Sequence, residues 1–211
     1  MDAAYWHDKW ATGEIAFHQS DYHPMMVDHF GTLGLSAGAR VFVPLCGKTR
    51  DIAWLLGQGL TVAGAELSET AVADLFADLG VVPQITDHDP LRCYQGAGIA
   101  IWVGDIFALT ASALGAVDAV YDRAALVALP DAMRARYADH LVALTGTAPQ
   151  FLLTFTYDQS AMAGPPFSVP EAKVRDYYKD RYTIDRIASV PIPPPGLKGR
   201  VDAIEEAWLL R

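Results

Sequence analysis

The 211-residue chain holds only two cysteines, Cys46 and Cys93. That is too few for the disulfide framework that staples small secreted domains, and the amino terminus carries no signal-peptide pattern. A reducing, cytoplasmic setting is the expectation. Basic residues are also scarce, 16 against 25 acidic, for a net charge of −9. A nucleic-acid partner needs a basic footprint to displace phosphate counterions, so none is expected. Long apolar runs are missing as well: Ile99 to Val103 and Phe151 to Phe155 fall far short of the roughly 20 residues that cross a bilayer. No membrane partner is expected either.

Several chemical signatures are absent. The three-glycine dinucleotide fingerprint does not occur, which disfavours a nicotinamide cofactor. Gly47-Lys48-Thr49 resembles the end of a phosphate-binding loop, but Phe42 stands where its first glycine belongs. No Gly-x-Ser-x-Gly elbow occurs, and Cys46 sits among apolar neighbours without a histidine partner in view. His18, His23 and Asp87-His88-Asp89 lack the helical ligand spacing of familiar zinc sites, so no metal is expected. Glu205 and Glu206 are adjacent on a strand and face opposite ways, which argues against a paired acid and base.

What the chain does have is apolar residues, 52% against 19% charged, enough for one sizeable core over residues 1–211. From Arg40 onward short apolar runs alternate with helical patterns, which predicts an α/β fold with a mostly parallel, doubly wound sheet. Strands are expected at Val41–Leu45, Thr61–Ala65, Ile99–Val103, Val117–Tyr121, Phe151–Phe155, Tyr182–Val190 and Ala203–Leu210, seven in all. Pro191 to Gly196 is too short for a crossover helix, so the last two strands should be antiparallel. Ser68 is a helix cap, Pro130 and Asp131 open the clearest helix, and Ser168 with Glu171 spells a capping box. Ala3–Ala11 and Pro24–Leu33 read as helices outside the βα pattern, within an amino-terminal segment of residues 1–39.

In open α/β sheets ligands bind beyond the carboxyl ends of the strands. The first strand ends at Leu45-Cys46-Gly47 and the second at Glu66, an acid about 20 residues on, where a ribose-binding carboxylate belongs in a nucleoside site. The bland alternative is a solvated acid and an ordinary turn. Asp105 and Asp122-Arg123 end two further strands, where opposite charges can also simply neutralise each other at the rim. Trp6 and Trp10 are four apart and face one way; they are either core or a lid whose rings meet a cationic or aromatic ligand.

Taken together, Trp6-His-Asp-Lys-Trp10, Phe17-His-Gln19, Val41-Phe-Val-Pro-Leu-Cys-Gly-Lys48, Gly64-Ala-Glu-Leu-Ser68, Gly104-Asp-Ile-Phe107, Asp122-Arg-Ala-Ala-Leu-Val127 and Gly164-Pro-Pro-Phe167 resemble the thiopurine S-methyltransferase family in order and over nearly the whole chain. The carboxyl-terminal region resembles the shorter bacterial members, without the longer insert of the animal ones. The resemblance implies a class I methyltransferase fold with one antiparallel strand in a seven-stranded sheet, a helical lid, and S-adenosyl-L-methionine as cofactor, released as S-adenosyl-L-homocysteine. It places Trp6, Trp10, Leu45, Gly47, Glu66, Asp105, Ile106 and Arg123 at the cofactor, Phe17 beside the sulfur substrate, and Arg123 as the catalytic candidate.

The activity so implied is methylation of thiopurines and other small aromatic or heterocyclic thiols by direct in-line displacement, with selenium and tellurium compounds as a related class. The enzyme is expected to act as a monomer on a small-molecule thiol. Two alternatives stand beside it: a halide or thiocyanate methyltransferase, and a cofactor-binding module without turnover.

Overall fold

A computed structural model describes residues 3–15 and 18–211. Five strands form its parallel centre. In spatial order these are β5 (Ile99–Val103), β2 (Thr61–Glu66), β1 (Arg40–Pro44), β6 (Ala119–Asp122) and β7 (Gln150–Thr156). Beyond β7 lie β9 (Ile204–Leu210), antiparallel to it, and then β8 (Ile184–Pro191), antiparallel to β9. These are the seven expected strands, with β9 running against the rest.

Among the described residues the sheet nevertheless has nine strands, not seven. A hairpin of β3 (Gln84–His88) and β4 (Leu91–Gly96) extends the β5 edge, β4 pairing antiparallel with β5. All five residues of β3 are exposed. An edge strand with no buried face leaves no alternation of apolar and polar residues to find.

The central strands are buried on both faces, as parallel strands under helices must be. Alternate residues divide between two cores. Phe42, Val120 and Leu152 join the side covered by α6 (Asp131–Thr145) and α7 (Glu171–Tyr178). Val41, Val43, Tyr121 and Phe151 join the side covered by α2 (Pro24–His29), α3 (Asp51–Gly57) and α4 (Glu69–Asp78). The expected helix at 24–33 is α2 followed by a 3-10 turn, Phe30–Leu33, which Gly34 ends at φ 65°. Phe30 meets the Tyr121 ring edge-on at 5.9 Å.

Ser68 caps α4 as expected, its Oγ accepting the Ala71 N–H at 3.3 Å. The capping box is not made. Pro170 occupies the N-cap of α7, and without an N–H it has nothing for Glu171 to bond in return. Ser168 Oγ accepts the Tyr157 N–H instead, at 3.1 Å, and Glu171 binds Arg175.

The order reverses at β1: β2 and β5 lie to one side, β6 and β7 to the other. That switch point is where an open α/β sheet forms a crevice at its carboxyl edge.

Candidate active site

A cavity of about 870 Å³ opens over these strand ends. The turn after β1 forms its floor. Leu45 and Gly47 take left-handed backbone, φ 46° and 51°, a conformation that is strained for leucine and natural for glycine. The indole of Trp10, in α1 (Ala3–Thr12), lies against this turn: a Cβ on Gly47 would sit 2.9 Å from Trp10 Cζ2. Trp10 is buried and Trp6 half-buried, and both line the cavity. α1 is therefore a wall of the site.

Glu66 ends β2 in the same wall and is itself buried. Its Oε2 accepts the Gly47 N–H at 2.7 Å and its Oε1 the Ser68 N–H at 2.8 Å. Burial raises the carboxyl above its ordinary range, and the backbone N–H groups of Ser68, Gly47 and Leu67 oppose that rise. Each carboxylate oxygen has a second lone pair, so Glu66 keeps acceptor capacity.

Past β5, exposed Asp105 caps a short turn, its Oδ1 accepting the Phe107 N–H at 3.0 Å. Ile106 is buried and lines the cavity. Arg136 stacks its guanidinium on Phe107 at 3.8 Å, and Leu129 and Met133 complete a flat, mostly apolar end. This end suits a planar heterocycle.

Past β6, Asp122 and Arg123 do not neutralise each other. Successive strand residues point to opposite faces, and Asp122 turns into the core, where Oδ1 accepts the Leu126 N–H at 3.1 Å and Oδ2 the Tyr137 hydroxyl at 2.8 Å. Burial raises its pKa to about 6 against those bonds. Arg123 turns into the cavity instead, and its counter-charge is Asp51 at 3.9 Å.

Asp51 opens α3, a first-turn carboxylate at the positive end of the helix dipole. In the structure it is buried under the site, where Oδ1 accepts the His23 backbone N–H at 2.8 Å and Oδ2 the Tyr121 hydroxyl at 3.0 Å. His23 in turn meets Glu205 of β9, Nε2 to Oε1 at 2.9 Å. Glu205 lines the cavity, as do Arg136 and His18. No sequence signal singled out Asp51, Glu205 or Arg136 for the site. Glu206 faces away, accepting from Thr156 and Arg186, as strand alternation predicts.

The cavity thus gathers Trp6, Trp10, Leu45, Gly47, Glu66, Asp105, Ile106 and Arg123. Phe17 lies outside the described residues. Cys46 is buried, and burial, then Glu66, pushes its thiol well up, which rules it out as a ready nucleophile. Among the described residues no helix is long and apolar enough to cross a membrane.

Comparison with known proteins agrees with this geometry. The family model for Thiopurine S-methyltransferase matches residues 1–210. A thiopurine S-methyltransferase of Xanthobacter autotrophicus is 56% identical over 211 residues, 100% of this chain and 99% of that protein. One from Teredinibacter turnerae is 50% identical over 210 residues, covering 100% and 97%. Among solved structures, Burkholderia thailandensis 1,6-didemethyltoxoflavin-N1-methyltransferase, bound to 1,6-didemethyltoxoflavin and S-adenosylhomocysteine, superposes with a TM-score of 0.66. It is 16% identical and covers 99% of this chain and 86% of that one. At that identity the likeness concerns the fold alone.

Proposed function

Since the chain belongs to the thiopurine S-methyltransferase family, we propose that it methylates the sulfur of thiopurines and other small aromatic or heterocyclic thiols from S-adenosylmethionine, with selenium and tellurium compounds as a related class. One observation carries this reading: three neighbouring strand ends contribute Glu66 (β2), the Leu45–Gly47 turn (β1) and Arg123 (β6) to one cavity.

The residues fit such a donor. Glu66 is a buried carboxylate with unused acceptor capacity, suited to ribose hydroxyls. The end walled by Asp105, Ile106 and Phe107 suits adenine. Trp10 and Trp6 offer aromatic faces over the turn, suited to a sulfonium, so that α1 within residues 1–39 acts as a lid. When bound, the donor supplies an electrophilic methyl group on a positively charged sulfur.

Beyond Arg123 the cavity is walled by Leu153, Phe155, Pro165 and Pro166. This broad apolar surface holds a flat ring and sheds water around a soft nucleophile, and it favours an aromatic thiol over a halide or thiocyanate ion. Arg123 stabilises a sulfur anion by charge, with Asp51 fixing its guanidinium from beneath. An aromatic thiol ionises readily, so the protein contributes mainly by alignment. Two buried, unpaired thiols, Cys46 and Cys93, support a reducing, cytoplasmic setting, and we read residues 1–211 as one domain acting as a monomer.

The test is a methyl-transfer screen with mass detection, offering 6-mercaptopurine, iodide, thiocyanate and selenium compounds in parallel. Methylated 6-mercaptopurine is expected. Turnover of iodide or thiocyanate alone would replace the reading with a halide methyltransferase, and no transfer at all with a binding module.

A further inference from the structure

Glu205 stands on the β9 side of the cavity, with β1, β6 and β7 between it and Glu66 of β2. It pairs in register with Phe155 at the end of β7, lines the cavity, and its side chain is 18% exposed. Its Oε1 is held by His23 Nε2 at 2.9 Å, and among the described residues no donor meets Oε2. His23 is buried and its Nδ1 has no partner among the described residues. The tautomer carrying its proton on Nε2 donates to Glu205 and leaves only a lone pair unmet, whereas a proton on Nδ1 would be buried without an acceptor. Asp51 grips the His23 backbone at the same time. One carboxylate oxygen is thereby anchored and the other is left for a ligand.

Among the described residues, the other three carboxylates that line the cavity do not duplicate this. Glu66 and Asp105 lie at the β2 and β5 ends, and Glu14 is paired with Lys9 on α1's side. Arg123 and Lys198 have no lone pair to offer, and Lys198 donates to the Pro165 carbonyl at 2.7 Å. His18 stands near Lys48 and Arg123, and burial, then Lys48 and, more weakly, Arg123 lower its pKa. Glu205 is the acid placed for the acceptor.

Resting on the methyl-transfer reading above, we propose that Glu205 recognises the ring N–H of a heterocyclic thioamide, an N–H beside C=S, and receives its proton as the sulfur is methylated. The N–H pair becomes the C=N bond and the C=S π pair moves to sulfur, which takes the methyl group. The pair of the broken carbon–sulfur bond returns to the donor's sulfur, leaving a neutral thioether. One positive charge disappears from the donor while one negative charge disappears from Glu205, so the net charge of the closed site is unchanged. In a water-poor cavity that avoids leaving a half-buried carboxylate without its counter-charge. His23 is the positioning residue.

The test compares wild type and Glu205→Gln on pyridine-2-thione and on 4-nitrothiophenol, an acceptor of similar size without an N–H. Glutamine keeps an oxygen for His23 but turns a donor toward the cavity, so kcat/KM for the thione should fall about 10- to 100-fold. The thiophenol should stay within about threefold and the melting temperature should hold. Independently of any variant, pyridine-2-thione should bind wild type, with S-adenosylhomocysteine present, about tenfold more tightly than its N-methyl derivative. Equal losses on both acceptors, no loss on the thione, or equal binding of the N-methylated thione would overturn the assignment. Wild type that methylates the thiophenol but not the thione also removes it while leaving the methyl-transfer reading intact. Wild type that methylates neither refutes both.

Discussion

The Trp10 indole rests on Gly47 so closely that no side chain fits between them, a Cβ at that position lying 2.9 Å from Cζ2. Helix α1 and the turn after β1 are thus one structural unit, and Gly47 also donates its N–H to Glu66. Aromatic wall, turn and carboxylate are fixed relative to one another before any ligand arrives.

Gly47→Ala should therefore cost in two ways. Left-handed backbone at φ 51° penalises alanine by about 1 to 2 kcal/mol, and the methyl group displaces Trp10. A lower melting temperature together with weaker S-adenosylhomocysteine binding is expected. Gly31→Ala, where nothing lies within 4 Å, should leave binding unchanged. Calorimetry on both variants checks this.

Glu66→Ala should weaken S-adenosylmethionine by about 10- to 100-fold, since ribose hydroxyls lose a charged acceptor worth about 1.5 to 3 kcal/mol. Glu66→Gln, which keeps one acceptor oxygen, should fall between. Unchanged affinity in a folded Glu66→Ala variant would remove the ribose assignment.

Arg123→Ala is expected to slow single-turnover transfer at saturating donor by about 100-fold. Asp51→Asn, which leaves the guanidinium in place without its counter-charge, should slow it by about tenfold. Rapid-quench measurement distinguishes these. A normal rate in Arg123→Ala would confine that residue to binding.

Asp122 supplies a pH signature. Its folded pKa is raised by burial from 3.8 to about 6, so between those values the folded chain holds a proton that the unfolded chain has lost. The contribution of Asp122 to stability is therefore greatest in acid and is lost as pH climbs through 6. Relative to Asp122→Asn, wild type should gain about 2 kcal/mol on going from pH 7.5 to 4.5. Denaturant melts that show a constant difference would contradict it.

The strand-end residues that line the cavity were legible because they fall where apolar runs stop: Leu45 and Gly47 after β1, Glu66 at the end of β2, Asp105 and Ile106 after β5, Arg123 after β6. A strand end is a local property of sequence. The cluster beneath Arg123 is not local. His23 and Asp51 meet across 28 positions and His23 and Glu205 across 182, and only the register of β9 on β7 brings Glu205 to the cavity. The β3–β4 hairpin escaped for another reason, since an exposed polar edge leaves no apolar period to read. Ser168 and Glu171 matched a capping pattern whose N-cap Pro170 pre-empts.

The donor's address along the strand ends is read directly by a crystal structure with S-adenosylhomocysteine and a thiol acceptor. The ribose should lie on Glu66, the adenine against Ile106 and Phe107, and the donor sulfur should point across β1 toward Arg123. A donor seated elsewhere, or seated here with its sulfur turned away from Arg123, would contradict it.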